Sequence, residues 1–200
     1  NPDYEEIQYE YPIPDTEGST IPDVPLSGDF SYRIDFDQPL DQRWMFLRNV
    51  REPWYDLEDG ALKLQVRQEY ISSTGNPSLV LRRQTHIEGE VVAYLEFEPQ
   101  SENEMAGIVI LQNESHYYFV NKTRQSIQLL KQTESGYATL ADKPYDKAGI
   151  QIKIEARESK YNFYFSEKGD DYQPLLRDVD ATYLSTETAG GFVGCMYGLY

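Results

Sequence analysis

Alternation of apolar and polar residues with a period of two is the feature that most restricts the fold of this chain. It occurs in segments 62–67, 150–155 and 161–165. Successive side chains of a strand point to opposite faces, so this period is typical of strands with one buried face. Segment 106–111 is instead continuously apolar, which predicts a strand that is buried on both faces.

Turn-forming residues separate these runs, at 58–60, 74–77, 134–136 and 168–171. No window has the spacing of an amphipathic helix, and the sequence contains no internal repeat. Many short strands joined by turns predict an all-β fold, either an antiparallel sandwich or a barrel.

The charge of the chain excludes several functions. Its 200 residues include 34 acidic and 18 basic ones, for a formal net charge of −16. Such a surface repels phosphate backbones and anionic lipids, so we expect neither nucleic-acid binding nor membrane binding. No window approaches the roughly 18 apolar residues of a membrane span. Cys195 is the only cysteine in the sequence, which excludes a disulfide framework and a cysteine-based zinc site.

The first 29 residues differ in composition from the rest. They hold five of the eleven prolines, eight acidic residues and no basic residue. Proline at this density favours extended geometry and opposes helix. We predict a linker or extended arm over residues 1–29 and one β-sandwich domain over residues 30–200, with plain disorder of the first segment as the alternative.

Candidate catalytic groups are sparse. The two histidines, His86 and His116, have no Gly-x-Ser-x-Gly or His-Glu-x-x-His motif to accompany them. Glu96 and Glu98 lie on one face of a predicted strand, roughly 6.6 Å apart along it. Jelly-roll glycosidases use such carboxylate pairs. We interpret this pair as a solvated strand face, because the apolar residues that flank it point the other way.

Two further groups of residues suggest ligands. Asp35 and Asp37, with Asp41 nearby, are candidate calcium ligands, although their spacing is not that of an EF-hand. The seventeen tyrosines, with Trp44 and Trp54, would suit stacking on sugars. Tyrosine is also a good strand former, and both tryptophans are surrounded by apolar residues, which predicts that they lie in the core.

Longer motifs extend over residues 30–200. They are Asp-Phe followed by Leu-x-x-x-Trp-x-x-Leu-Arg-Asn at 35–49, Trp-Tyr-Asp-Leu at 54–57, Gly-Ala-Leu-Lys-Leu at 60–64, Arg-Arg-Gln at 82–84 leading to Phe-Glu-Pro at 97–99, Ala-Gly-Ile-Val at 106–109, Gln-Asn-Glu-Ser-His-Tyr-Tyr at 112–118 and Gly-Phe-Val-Gly-Cys-Met-Tyr at 191–197. Through these motifs the chain resembles the C-terminal domain of family 43 glycosidases, which include β-xylosidases and α-L-arabinofuranosidases.

The resemblance implies a two-sheet antiparallel β-sandwich, a concanavalin-like jelly roll. It also implies that the catalytic residues, two Asp and one Glu, lie on a separate five-bladed propeller of the same polypeptide. Residues 1–29 would then connect the two domains, and docking on the propeller would be the main role of this chain. The family continues past the position of Tyr200, so one final strand would be missing here.

The resemblance also suggests site residues. In some family xylosidases a sandwich loop caps the active site of the propeller with an aromatic ring, and this chain has Thr188 at that place. Arg82, Arg83, Gln84 and His86 are candidates for substrate binding or interdomain contact.

The sequence is compatible with three functions. The first is a non-catalytic accessory domain of a family 43 glycosidase that acts on plant polysaccharide or oligosaccharide. The second is a stand-alone carbohydrate-binding module or lectin-like domain, and the third is a self-sufficient glycosidase that uses Glu96 and Glu98. A polymeric substrate favours export to the periplasm or the extracellular space.

Overall fold

The computed structural model describes residues 28–191 and 193–200. The chain divides after Ile34 into two units, Asn1–Ile34 and Asp35–Tyr200. In the described part of the first unit, the ring centroids of Phe30 and Tyr32 lie 5.7 Å apart. The predicted linker, residues 1–29, falls almost entirely outside the described residues.

The described part of the second unit is built almost wholly from strands. In chain order the strands are β1 Trp44–Phe46, β2 Tyr55–Glu58, β3 Ala61–Leu64, β4 Val80–Arg83, β5 Gly89–Glu96, β6 Ala106–Asn113, β7 His116–Lys122, β8 Ser126–Thr133, β9 Gly136–Pro144, β10 Gly149–Arg157, β11 Lys160–Ser166, β12 Gln173–Asp180 and β13 Met196–Leu199. A 3₁₀ turn, Ala181–Leu184, and a helix of one turn, α1 Thr186–Ala189, precede β13. No helix among the described residues has the length and apolar character to cross a membrane.

The strands form two main sheets. One has seven strands in the order β1-β4-β13-β6-β7-β8-β9, and the other has four in the order β12-β11-β10-β5. All neighbouring strands in both sheets are antiparallel. The predicted two-sheet antiparallel sandwich is therefore confirmed, and β2–β3 adds a separate hairpin.

The principal core lies between the two sheets. The seven-stranded sheet contributes Ile108 and Ile110 from β6. Alternate residues of β10 and β11 face them from the four-stranded sheet: Ile150, Ile152, Ile154, Tyr161, Phe163 and Phe165. Full burial of each such side chain stabilises the fold by about 1.5–3 kcal/mol. The period of two in these segments thus identified the inner face correctly.

The other face of the seven-stranded sheet is covered as well. Val109 and Leu111 of β6 point to this outer face, where they pack with Ile71 and Leu79. The latter two belong to the long connection between β3 and β4, residues 65–79. A strand with both faces buried requires apolar residues at successive positions, so the prediction from segment 106–111 is confirmed.

The two tryptophans differ in burial. Trp54 is buried, and its Nε1 donates a hydrogen bond to Asn76 Oδ1 at 2.6 Å. Trp44 is half-buried, and the Arg82 guanidinium lies 5.3 Å from its ring centroid. The core prediction is confirmed for Trp54 and wrong for Trp44, because β1 is an edge strand and leaves its ring partly open to solvent.

The turn between β2 and β3 explains why Asp59-Gly60 was a clear turn signal in the sequence. Asp59 and Gly60 have φ values of 56° and 70°. Two consecutive residues with positive φ match the right-handed twist of a hairpin, and Asp-Gly adopts this geometry readily.

Gly107 is required by close packing of two strands. A Cβ on Gly107 would lie 1.9 Å from the backbone oxygen of Val120 and 2.8 Å from Asn121 Cα. Backbone cannot move aside without breaking the ladder, so we expect Gly107→Ala to lower the free energy of unfolding by about 2–3 kcal/mol in urea denaturation. Gly89→Ala is the control, because its Cβ would meet nothing within 4 Å. Equal effects of the two substitutions would contradict this packing.

Lys122 is a buried cation at the end of β7. The residue is 2% exposed, and its Nζ donates a hydrogen bond to Thr123 O at 3.2 Å. The Phe97 ring centroid lies 6.0 Å from the same atom. Burial lowers the pKa of Lys122 below its ordinary value of 10.5. The folded chain therefore binds this proton less readily than the unfolded chain does.

We expect Lys122→Met to raise the free energy of unfolding at pH 7. Below the pKa that Lys122 has in the folded chain, burial of the charged side chain lowers the free energy of unfolding. This destabilisation diminishes as pH rises from the folded-state pKa towards the ordinary value of 10.5. The difference between variant and wild type should therefore shrink between pH 7 and pH 10 in urea unfolding. Lys168→Met, at an exposed position, should show no such dependence. A pH-independent difference for Lys122→Met would contradict the lowered pKa.

Candidate functional site

The predicted capping position, Thr188, is exposed and lies in the one-turn helix α1, in the segment between the 3₁₀ turn and β13. Residues 186–191 are termed the cap loop. Gly190 and Gly191 have φ values of 74° and 75°, a region that favours glycine. The first of them ends α1, so the chain leaves the helical turn at that point.

Two consecutive side chains at the end of β6 hold the cap loop. Asn113 Nδ2 donates a hydrogen bond to Ala189 O at 2.9 Å, and Gln112 Nε2 donates one to Gly190 O at 3.4 Å. Gln112 is itself buried. The backbone of the loop is thus fixed to the seven-stranded sheet while the Thr188 side chain faces outward.

The end of β4 borders the same loop. Arg83 Nη1 donates a hydrogen bond to Gly194 O at 2.8 Å, and the Gln84 backbone N–H donates one to Cys195 O at 3.0 Å. Gln84 Oε1 also accepts a hydrogen bond from Tyr161 Oη in the four-stranded sheet at 3.0 Å. The structure therefore brings Arg83, Gln84 and Thr188 to one end of the sandwich, and Gln84 links the two sheets there.

Arg82 and His86 lie apart from that group. Arg82 is half-buried against Trp44, on the other face of β4 from Arg83. His86 is exposed beyond the end of β4, with Nδ1 2.8 Å from Thr85 Oγ1. The roles of all five residues in substrate binding or interdomain contact remain predictions.

Asn113 and His116 were not among the predicted site residues: the sequence showed His116 only as a histidine without a catalytic motif, and Asn113 only as part of a family motif. Asn113 Oδ1 accepts hydrogen bonds from the Ser115 N–H at 2.9 Å and from His116 Nδ1 at 3.1 Å. The hydrogen bond from Asn113 Nδ2 to Ala189 O fixes the orientation of the amide, and an amide oxygen can only accept, so His116 Nδ1 is the donor in its bond to Asn113 Oδ1. The Gln-Asn-x-x-His motif was visible in the sequence, but its link to the cap loop arises only in the fold.

Tyr183 and Cys195 also lie at this end of the sandwich. The Tyr183 ring packs on the His116 ring, with their centroids 5.0 Å apart. Lys131 Nζ lies 3.6 Å from the centroid of the Tyr183 ring. Burial raises the pKa of the Tyr183 hydroxyl and that of the Cys195 thiol. A thiol with a raised pKa stays protonated at neutral pH and is a poor nucleophile.

The carboxylate pair lies at one end of the four-stranded sheet. Glu96 is the last residue of β5, and Glu98 follows the end of that strand. Both residues are exposed, and Glu96 Oε1 accepts a hydrogen bond from Tyr94 Oη at 3.1 Å. Neither belongs to the two cavities that border the loop after β1. This agrees with a solvated strand face rather than a glycosidase centre.

The calcium candidates are also exposed. Asp35 and Asp37 flank Phe36, whose φ is 54°. The Asp41 carboxylate forms an ion pair with Arg43 instead, which lowers the pKa of Asp41. Within the described residues, no three histidine, cysteine or acidic side chains come together. Two exposed carboxylates fall short of the six to eight oxygens that calcium takes, so they do not fit such a site by themselves.

A family model described as the beta xylosidase C-terminal concanavalin A-like domain matches residues 33–200. The chain belongs to this family. It is therefore a C-terminal accessory domain of the glycoside hydrolase family 43 type, with the concanavalin-like fold that its sequence motifs implied.

Three relatives illustrate the likeness. A xylosidase/arabinosidase of Butyrivibrio fibrisolvens is 34% identical over 171 residues, which are 80% of this chain and 32% of the relative. A xylan beta-1,4-xylosidase from Bacillus halodurans is 29% identical with a TM-score of 0.76, over 90% of this chain and 38% of that one. A carbohydrate binding module from Bacillus subtilis has a TM-score of 0.50 and 11% identity, over 78% and 86% of the two chains, and shows the fold alone. This family 43 domain spans about a third of the length of the curated relatives that it matches.

Asn113→Asp should release the cap loop of this family 43 domain. The variant replaces the Asn113 Nδ2 donor by an oxygen that repels Ala189 O. We expect hydrogen exchange of the Ala189 and Gly190 amides to accelerate roughly tenfold, the equivalent of one lost hydrogen bond. Asn162→Asp is the control, because Asn162 Oδ1 only accepts a hydrogen bond, from Asp178 N–H. Unchanged exchange in Asn113→Asp would contradict the tether.

Proposed function

We propose that this domain is the non-catalytic part of a longer family 43 glycosidase and docks on a catalytic five-bladed propeller of the same polypeptide. The substrate would be a plant polysaccharide or oligosaccharide of the xylan or arabinan type, and the enzyme would be exported. The docking surface is the end of the sandwich that carries the cap loop and the end of β4.

A pair of exposed apolar side chains at this end carries the proposal. Ile87 is 74% exposed and Val193 is 49% exposed. Arg83 pairs with Met196, and the Gln84 N–H to Cys195 O bond continues that ladder by one step. Residues 87 and 193 therefore extend past the sheet at the same end. Apolar side chains at this exposure are typical of interaction surfaces when they occur together.

The tethered cap loop supports the same docking surface. A loop that contributes to a neighbouring active site must be held in one position when the domains meet, because ordering it on binding costs free energy. Hydrogen bonds from Gln112 and Asn113 supply that order in advance. Thr188 offers no aromatic ring, so a capping contact here would be polar and smaller than one made by phenylalanine.

The relatives support a larger polypeptide. They are named as xylosidases and arabinosidases, and this domain covers about a third of their length. The pair Glu96 and Glu98 is exposed to solvent, in agreement with a catalytic centre on another domain.

The proposal predicts that the pure 200-residue chain does not hydrolyse xylo- or arabino-oligosaccharides. An antibody against the chain should detect a native polypeptide of at least twice its mass. Any turnover by the pure chain would contradict the proposal. Loss of that turnover in the double variant Glu96→Gln, Glu98→Gln would assign it to this carboxylate pair. A native polypeptide no larger than the chain would contradict it too.

Docking is tested by substitution in the native polypeptide. Ile87→Asp places a charge in the proposed apolar contact, and we expect proteolysis between the domains to become at least about fivefold faster. Val92→Asp is the matched control, because Val92 is 43% exposed on the outer face of the four-stranded sheet. Equal proteolysis rates for the two variants would place the contact elsewhere.

A further inference from the structure

A polar cavity beside the cap loop differs from the rest of this acidic domain. It has a volume of about 360 Å³ and lies between the loop that follows β1 and the connection from β3 to β4. Three arginines line it, Arg48, Arg51 and Arg67, together with Glu52 and Glu69. A chain with only 18 basic residues and a net charge of −16 has here a local concentration of guanidinium groups.

Two of the arginines are fixed in place. Arg48 donates hydrogen bonds to Gly75 O at 2.6 Å and to Glu114 Oε1 at 2.7 Å, and its backbone has a φ of 71°. A left-handed arginine is uncommon and is held here by its own side-chain bonds. Arg67 donates to Ser78 Oγ at 3.0 Å, and its guanidinium lies 5.6 Å from the Trp54 ring centroid.

Arg51 differs from the other two. It is exposed, and it makes no hydrogen bond or ion pair with any residue in the part of the chain that the structure describes. Its five N–H donors are therefore available to a ligand in the cavity. A guanidinium pairs with a carboxylate or a phosphate through two parallel hydrogen bonds.

The frame of the cavity is rigid. Asn76 Nδ2 donates to Leu47 O at 2.9 Å while its Oδ1 accepts from Trp54, so one amide joins the two loops. Glu69 Oε2 accepts from Ser73 Oγ at 3.2 Å, and a Cβ on Gly75 would lie 1.9 Å from the same oxygen. The Glu69 carboxylate thus lies directly against the glycine, as an acceptor set into the cavity wall.

A second cavity adjoins the first and shares Arg51 and Glu52 with it. Its volume is about 410 Å³, and its lining includes Pro53, Tyr55 and Leu57. The Tyr55 ring stacks on Phe46 with centroids 5.2 Å apart, which restrains its position. The two cavities together surround Arg51 with both apolar side chains and hydrogen-bonding groups.

We propose that these joined cavities bind an acidic sugar, a uronic acid unit of an oligosaccharide, with its carboxylate on Arg51. The hydroxyls of the sugar would donate to Glu52 and Glu69, and its apolar ring face would lie towards Tyr55. Three carboxylates also line the joined cavities, those of Glu52, Asp56 and Glu69. A sugar acid can offset their repulsion by donating its hydroxyls to them, whereas a plain anion such as phosphate has neither these hydroxyls nor an apolar face. The site lies next to the cap loop, but none of its lining residues belongs to the docking surface, so binding can be tested on this chain without the propeller.

The β6–β7 hairpin places this site next to the cap loop. Glu114 binds Arg48 at the cavity, and the preceding residue, Asn113, binds Ala189 in the cap loop. One hairpin therefore contacts both loops.

The test is a titration of the full 200-residue chain. Binding is measured by calorimetry and by NMR of the arginine Nε–H groups. The probes are xylotriose that carries one glucuronic acid and unsubstituted xylotriose. We expect saturable binding of the acidic probe, weaker binding at high salt, and shifts at Arg51. Arg51→Ala should weaken binding at least about tenfold, and Arg51→Lys should weaken it less, since lysine keeps the charge but not the paired donors.

Arg124→Ala is the matched control, because Arg124 is an exposed arginine that pairs with Glu102 at 3.7 Å, away from the cavities. Its affinity should equal that of wild type. Equal binding of both probes, or no binding of the acidic one, would overturn the proposal. Shifts at Arg51 from a peptide with the sequence of residues 1–27, without any from the acidic probe, would also overturn it and assign the site to an acidic peptide.

Discussion

Burial of the seven-stranded sheet on both faces is the constraint on which the rest of this domain depends. Between the sheets, Ile108 and Ile110 meet the four-stranded sheet, and on the outer face Val109 and Leu111 meet the connection from β3 to β4. That connection must therefore stay on the sheet, since leaving it would expose a row of apolar side chains to water. Its attachment in turn holds the arginine-lined cavity in place.

The β6–β7 hairpin extends this rigid sheet to the surface. Its strands are among the most buried in the domain. Asn113 is the last residue of β6, and Glu114 lies in the turn that follows it. The Asn113 side chain holds the cap loop, and the Glu114 side chain binds Arg48 in the loop that follows β1. A short hairpin on a buried sheet can thus position two surface loops more firmly than those loops could position themselves.

Much of the fold could be predicted from local pattern. Alternating Ile150, Ile152 and Ile154 face the inner core, and Asp59-Gly60 forms the expected tight turn. Trp44 was placed in the core wrongly, because local hydrophobicity does not reveal that β1 lies at a sheet edge. The same limit applies to the site. Arg83, Gln84 and Thr188 do come to one end, whereas Arg82 turns to Trp44. Asn113, which tethers the loop, gave no signal of that role.

The sequence by itself determined the class of fold, the inner faces of the strands and the family. These follow from the period of two, from turn residues and from motifs, all of which can be read along the chain. Only the tertiary structure decided which loops meet. The cavity joins residues 48–52 to residues 67–76, and the cap loop joins residue 189 to residue 113. Such pairings depend on strand order, and strand order is set by the packing of whole sheets rather than by any local segment.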